Sequence, residues 1–80
     1  MRERRRSERQ VLEATVEVVT RERTDRIRIH DRSNDGALIG GRYAVGDKVM
    51  VRFPDETQTG EIVRVSLDDE LRHVAGVRFD

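Results

Sequence analysis

From residue 11 to its end, the chain is built of short runs in which every second residue is apolar, separated by turn-forming residues. Leu12, Ala14, Val16 and Val18 alternate with Glu13, Thr15, Glu17 and Val19. A side-chain period of two is the mark of a half-buried strand, because successive side chains point to opposite faces. Arg21 to Asp25 reads as a charged turn. Ile27 and Ile29 then alternate with Arg26, Arg28 and His30, and this second strand runs into Asp31. Gly36 opens the apolar stretch Ala37-Leu38-Ile39, which Gly40-Gly41 breaks.

The second half repeats the pattern. A turn over 44–47, centred on Gly46, precedes Val49, Val51 and Phe53, which alternate with Lys48, Met50 and Arg52. Pro54 ends that strand, since proline has no N–H for the ladder, and Asp55 to Gln58 forms the next turn. Val63, Val65 and Leu67 are expected on one face of the following strand, with Ile62, Arg64 and Ser66 on the other. Asp68-Asp69-Glu70 is a solvated turn. Ala75, Val77 and Phe79 close the chain as a last strand. No segment carries a helical stripe. Short strands at near-regular spacing predict an all-β sandwich or barrel, and closing the sheet hides its edges. The expectation is one domain: a small antiparallel β-barrel of about six strands over 11–80, behind a flexible arginine-rich arm over 1–10. Every connection is too short for a crossover helix.

Composition narrows the function. Eighty residues with 35% hydrophobic content and no Trp make a core that barely offsets chain entropy. A ligand or a second copy would therefore add to stability by mass action. The chain has no cysteine, which excludes a disulfide framework and a thiolate metal site. No apolar run approaches the roughly 20 residues of a membrane span, and no hydrophobic signal segment follows the N-terminal arginines. A soluble, cytoplasmic protein is expected, with no membrane contact. Charge balances overall at 16 basic and 16 acidic residues, yet residues 1–9 hold five Arg against two Glu. A cationic arm thus precedes a mildly acidic body, an unfavourable arrangement for bulk binding of DNA or RNA.

Two motifs carry chemistry. Arg5-Arg6-Ser7-Glu8-Arg9 is an RxxxR, and Asp31-Arg32-Ser33-Asn34-Asp35-Gly36 is a DxSxxG that begins 22 residues after Arg9. An arginine fork pairs with the O6 and N7 of guanine, and its plane stacks on purines or pairs with phosphate oxygens. Arg5 and Arg9, four apart, share one side of any local helical turn. The Asp31 carboxylate only accepts, which suits the donor edge of guanine; the Ser33 hydroxyl both donates and accepts. Gly36 permits positive φ and close approach of backbone to ligand.

These two motifs, in this order and with a β-rich segment between them, resemble the PilZ domain, the bacterial receptor fold for cyclic di-GMP. The resemblance runs from Arg5 to Phe79 and includes Ala37 after the glycine and the Gly76-Val77-Arg78-Phe79 ending. It implies a split-barrel-like fold whose N-terminal loop wraps cyclic di-GMP against the barrel. Arg5 and Arg9 would be the loop arginines, and Asp31, Ser33 and Gly36 the barrel residues that read a guanine. Arg4, before the motif, implies a stacked ligand dimer and two ligands per chain. The chain departs from the family at Arg32, where an apolar residue is usual, and in having no C-terminal helix after its last strand. Arg32 is expected to face solvent or to add a phosphate contact.

Blander readings stand beside this one. An isolated arginine run is usually a solubilising tail, Arg2 and Arg6 make a second RxxxR, and Asp, Ser, Asn and Gly favour turns for local reasons. His30 and His73 read as surface strand residues rather than metal ligands. Tyr43, Phe53 and Phe79 are needed in the core and leave no stacking platform for single strands. No nucleophile–base pair and no glycine-rich phosphate loop is visible, so no catalysis and no cofactor are expected. The expected function is a cyclic di-GMP receptor whose arm orders on binding and signals to a downstream protein partner or a homodimer copy. The alternatives are a PilZ-like interaction module that binds no nucleotide, and a nucleic-acid binder acting through the arm.

Overall fold

A computed structural model describes the backbone of Gln10–Val11 and residues 14–80 in full. It holds seven strands and no helix: β1 Gln10–Val11, β2 Thr15–Val19, β3 Thr24–Arg32, β4 Gly36–Gly40, β5 Lys48–Arg52, β6 Thr57–Leu67 and β7 His73–Phe79. All pairings are antiparallel in the order β1-β3-β2-β5-β6-β7-β4, and β3 also pairs with β4. That last pairing closes β2 to β7 into a six-stranded barrel. β1 and β2 lie one after the other along the same edge of β3, which pairs with both.

Turn chemistry starts and stops the strands. The Thr20 hydroxyl accepts N–H bonds from Glu22 and Arg23 at 3.3 and 3.2 Å, so the first hairpin turns early and β3 begins at Thr24, inside the expected turn. Gly46 has φ 99°, a left-handed value suited to glycine. It sits in the loop that crosses the barrel end from β4 to β5. Pro54 leads the β5–β6 turn, closed by Phe53 N–H donating to the Glu56 carbonyl at 2.8 Å.

The alternation places Val16, Val18, Ile29, Ile39, Val49, Val51, Ile62 and Val77 in one buried cluster. Val18, Ile29, Ile39, Val51 and Ile62 are fully buried, each contributing about 1.5–3 kcal/mol of burial. Phe53 and Phe79 meet edge to face at 5.9 Å between centroids near one end of the barrel.

Two β-bulges break the alternation. On β3, Ile29 pairs with Ile39 but Asp31 pairs with Leu38, so His30 is an extra residue. On β6, Ile62 pairs with Val77 but Arg64 pairs with Gly76, so Val63 is extra. A bulge re-aims the side chains that follow it. The first turns Arg32 inward. Its guanidinium carbon lies 3.7 Å from the Phe53 ring centroid, and it pairs with Asp55 at 3.3 Å and Glu56 at 2.6 Å. Arg32 therefore neither faces solvent nor points toward a ligand; it plugs the end of the barrel over Phe53. The second bulge reverses the expected faces of β6: Ile62 is fully buried, while Val63, Val65 and Leu67 are exposed.

Candidate functional site

The side chains of the DxSxxG segment gather on the outer wall of the barrel beside β4, β6 and β7. Asp31, Ser33 and Gly36 line one open groove of about 380 Å³, together with Leu38, Arg64, Gly76 and Arg78. The His30 bulge makes this possible. Without the extra residue, Asp31 would share the inward face of Ile29; with it, Asp31 pairs with outward-facing Leu38. Among the described residues, the Asp31 carboxylate has no hydrogen-bond or ion-pair partner.

Ser33 lies just past the end of β3, in a tight turn. Its N–H donates to the Gly36 carbonyl at 2.8 Å, and its hydroxyl accepts the Asp35 N–H at 3.3 Å. The turn holds the serine side chain beside the groove while leaving part of its bonding capacity to solvent.

Gly36 has a role other than the one expected of it. The positive-φ glycines among the described residues are Gly41 and Gly46, so Gly36 does not serve a left-handed turn. A Cβ at Gly36 would lie 2.2 Å from the Val77 carbonyl oxygen, and one at Gly60 would lie 2.4 Å from the Arg78 carbonyl oxygen. The two glycines let β4 and β6 close on either side of β7 at Arg78. The absence of a side chain at Gly36 also keeps the floor of the groove flat.

Arg64 and Arg78 were not foreseen as site residues. Arg78 sits across from Gly36 on one side and Glu61 on the other. Its outward direction follows from inward Val77 and Phe79, so its place was legible in the alternation. Arg64 was hidden by the Val63 bulge. Its side chain lies across Gly76, where an added Cβ would find Arg64 Nε at 3.6 Å. Neither guanidinium has an acidic partner among the described residues. The groove thus offers one carboxylate, one adaptable hydroxyl and two arginine forks around a floor of two glycines.

Arg4, Arg5 and Arg9 lie outside the described residues. The strand that follows them does not: Gln10 pairs with Arg32, and Val11 with Asp31. The arginine motif is therefore joined to the barrel directly beside the DxSxxG segment, and Gln10, counted with the arm by sequence, is strand-paired.

A separate polar cluster occupies the other end of the barrel. Arg23 pairs with Asp25 and lies 5.3 Å from the Tyr43 ring centroid, while the Tyr43 hydroxyl donates to Asp25 at 3.4 Å. Burial first, then the Asp25 charge, pushes the Tyr43 phenol up. These groups partner one another and cap the β4–β5 crossing. No three His, Cys, Asp or Glu side chains among the described residues are grouped to hold a metal ion. No helix among them is long and apolar enough to cross a membrane. No family model matches the chain, and no curated protein matches it.

Proposed function

We propose that the chain is a receptor of PilZ type that binds cyclic di-GMP between its arginine-rich arm and the Asp31 groove. The observation that carries this reading is the pairing of Gln10 with Arg32 and Val11 with Asp31. It tethers the RxxxR segment one residue from the strand that presents the DxSxxG carboxylate.

The chemistry of the groove supports the same ligand. Asp31 accepts from the N1–H and amino group of a guanine. Ser33 supplies a second, adaptable contact. Arg64 and Arg78 meet phosphate oxygens or the purine face, and Arg5 and Arg9 close over the ligand from the arm. Two phosphates matched by several arginines explain why a body of balanced charge needs a cationic arm. Arg4 adds the contact for a second, stacked ligand. Binding shifts the arm from an open ensemble to a closed one, because the ligand touches both parts only when closed. The closed arm is the surface that a downstream protein reads.

Calorimetric titration of the folded protein with cyclic di-GMP tests the reading. Arg5→Ala, Arg9→Ala and Asp31→Ala should each weaken binding sharply, and Asp31→Ala should also lose preference for guanine over adenine rings. Unchanged affinity in all three variants would end it. A second reading, an interaction module of the same fold that binds no nucleotide, is favoured by the exposed aliphatic residues on the β6–β7 hairpin. A folded protein that gives no heat with cyclic di-GMP supports that alternative.

A further inference from the structure

We infer that the outer half of β6, residues 63–67, is a docking edge for a second copy of this chain, paired antiparallel about a two-fold axis at Val65. This inference is independent of nucleotide binding and starts from the sheet's hydrogen bonding. β5 pairs with β6 only over Thr57 to Glu61. Just beyond, the Ile62 N–H donates to the Asp47 carbonyl at 2.9 Å and the Ile62 carbonyl accepts the Gly46 N–H at 2.8 Å. From Val63 to Leu67 the strand is paired with β7 on one side, and among the described residues it has no neighbour on the other. In an antiparallel ladder, alternate residues point their N–H and C=O groups away from the partner strand. This barrel is closed over its lower half, but its longest strand runs on into an open edge about 17 Å long.

The side chains on that edge are not those of a protected one. Natural edges are blunted by charges, proline or a twist away from neighbours. Here the five exposed large aliphatic residues among the described residues are Val45, Val63, Val65, Leu67 and Leu71. Three lie on the edge itself. Leu71 lies at the hairpin tip and Val45 in the β4–β5 loop, next to the Gly46 that bonds Ile62. Leu71 is 75% exposed and has φ 63°, a left-handed conformation that glycine or asparagine would adopt with less strain. A leucine held into solvent at a strained turn is not explained by the hairpin alone. A contact made by its side chain explains it.

The edge is complementary to itself, which selects the occupant. Its length is bounded at one end by the Ile62 bonds to the β4–β5 loop. At the other, the Asp68 N–H donates to the Arg72 carbonyl at 2.9 Å. Two copies that overlap over the whole free stretch have one register, centred on Val65. Val65 then faces the partner's Val65, and Val63 faces the partner's Leu67. Arg64 faces the partner's Ser66, so no like charges oppose one another. The same register carries each hairpin tip, with its Leu71, toward the partner's β4–β5 loop and its Val45. All five exposed aliphatics thus fall within one isologous contact. A pairing this short belongs with weak, concentration-dependent interfaces.

Sedimentation of the full chain over a wide concentration range tests the inference, with Val65→Asp, Val65→Lys, Ser66→Asp and an equal mixture of the two Val65 variants. Wild type should show a reversible monomer–dimer equilibrium. Either Val65 variant alone places like charges on the axis and should be monomeric, while the mixture places opposite charges there and should dimerise again. Recovery in the mixture also shows that both variants are folded. Ser66→Asp sets a carboxylate opposite each Arg64 and should tighten the dimer roughly two- to thirty-fold. A wild type that remains monomeric up to about millimolar concentration, or a dimer that Val65→Asp leaves intact, overturns it.

Discussion

The guanidinium carbon of Arg32 lies 3.7 Å from the centre of the Phe53 ring, and its nitrogens reach Asp55 and Glu56 in the β5–β6 turn. One side chain from the end of β3 thereby clamps the far side of the barrel and shields an aromatic pair. A cation over a ring in a partly desolvated place is worth up to about 2 kcal/mol, whereas the two ion pairs, with exposed acids, add little.

Arg32→Ala should accordingly lower stability by about 1–2 kcal/mol, or the melting temperature by about 4–16 °C for a domain of this size. Arg32→Leu keeps cover over Phe53 and should lose less. Thermal unfolding followed by circular dichroism distinguishes the two. Equal losses would mean that packing over the ring contributes nothing.

The glycines of the groove should separate into two kinds. Gly36→Ala and Gly60→Ala force a Cβ to within 2.2 and 2.4 Å of β7 carbonyl oxygens and should each cost about 1–3 kcal/mol or more, measured by urea denaturation. Gly76→Ala meets only Arg64 side-chain atoms, at 3.6 Å and beyond. It should leave stability near wild type while displacing the Arg64 fork, so its effect should appear in ligand titration.

Arg64→Ala and Arg78→Ala should each reduce affinity for cyclic di-GMP by about 10- to 100-fold if each makes one charged hydrogen bond to phosphate. Raising salt should erode wild-type affinity more steeply than that of either variant. Calorimetry at two ionic strengths checks both statements, and variants that bind like wild type would remove these residues from the site.

The tip of the β6–β7 hairpin should respond to acid late. Asp68 accepts N–H bonds from Glu70 and Arg72 at 2.8 and 2.9 Å. The bond from the Arg72 backbone, followed by that from Glu70, holds its carboxyl below the usual value. A carboxyl lowered in the folded state supports the fold above its unfolded pKa, and that support is lost as pH falls through the folded value. Amide shifts of Glu70 and Arg72, followed by NMR on acidification, should therefore titrate below the ordinary aspartate range. Asp68→Asn should abolish that transition.

Most of the barrel could be read from alternation alone. Val16 and Val18, Ile29, Val49 and Val51, and Val77 with Phe79 are buried as period-two reading requires. What escaped that reading begins at His30 and Val63. Neither residue announces a bulge, because an extra residue in a ladder is set by pairing with β4 or β7, which lies far along the chain. Everything after each bulge was consequently assigned to the wrong side: Arg32 outward, Ile62 away from the core. The site was legible in part for the same reason. Asp31 and Ser33 were found by motif, and Arg78 followed from its inward neighbours. Arg64 could be placed only once Gly76 was known to lie opposite it. The steric demand on Gly36 comes from β7, 41 residues onward at Val77, so local sequence offered a conformational explanation where crowding was the cause.

The supernumerary residue at position 30 acts on its strand as a single inserted letter acts on a message read in twos. Remove it, and the carboxylate of Asp31 turns into oil while the Arg32 cation swings into water, with not one other letter altered. Receptor groove and basal stopper are therefore two readouts of a single count, and no change of length in this strand can alter one and spare the other.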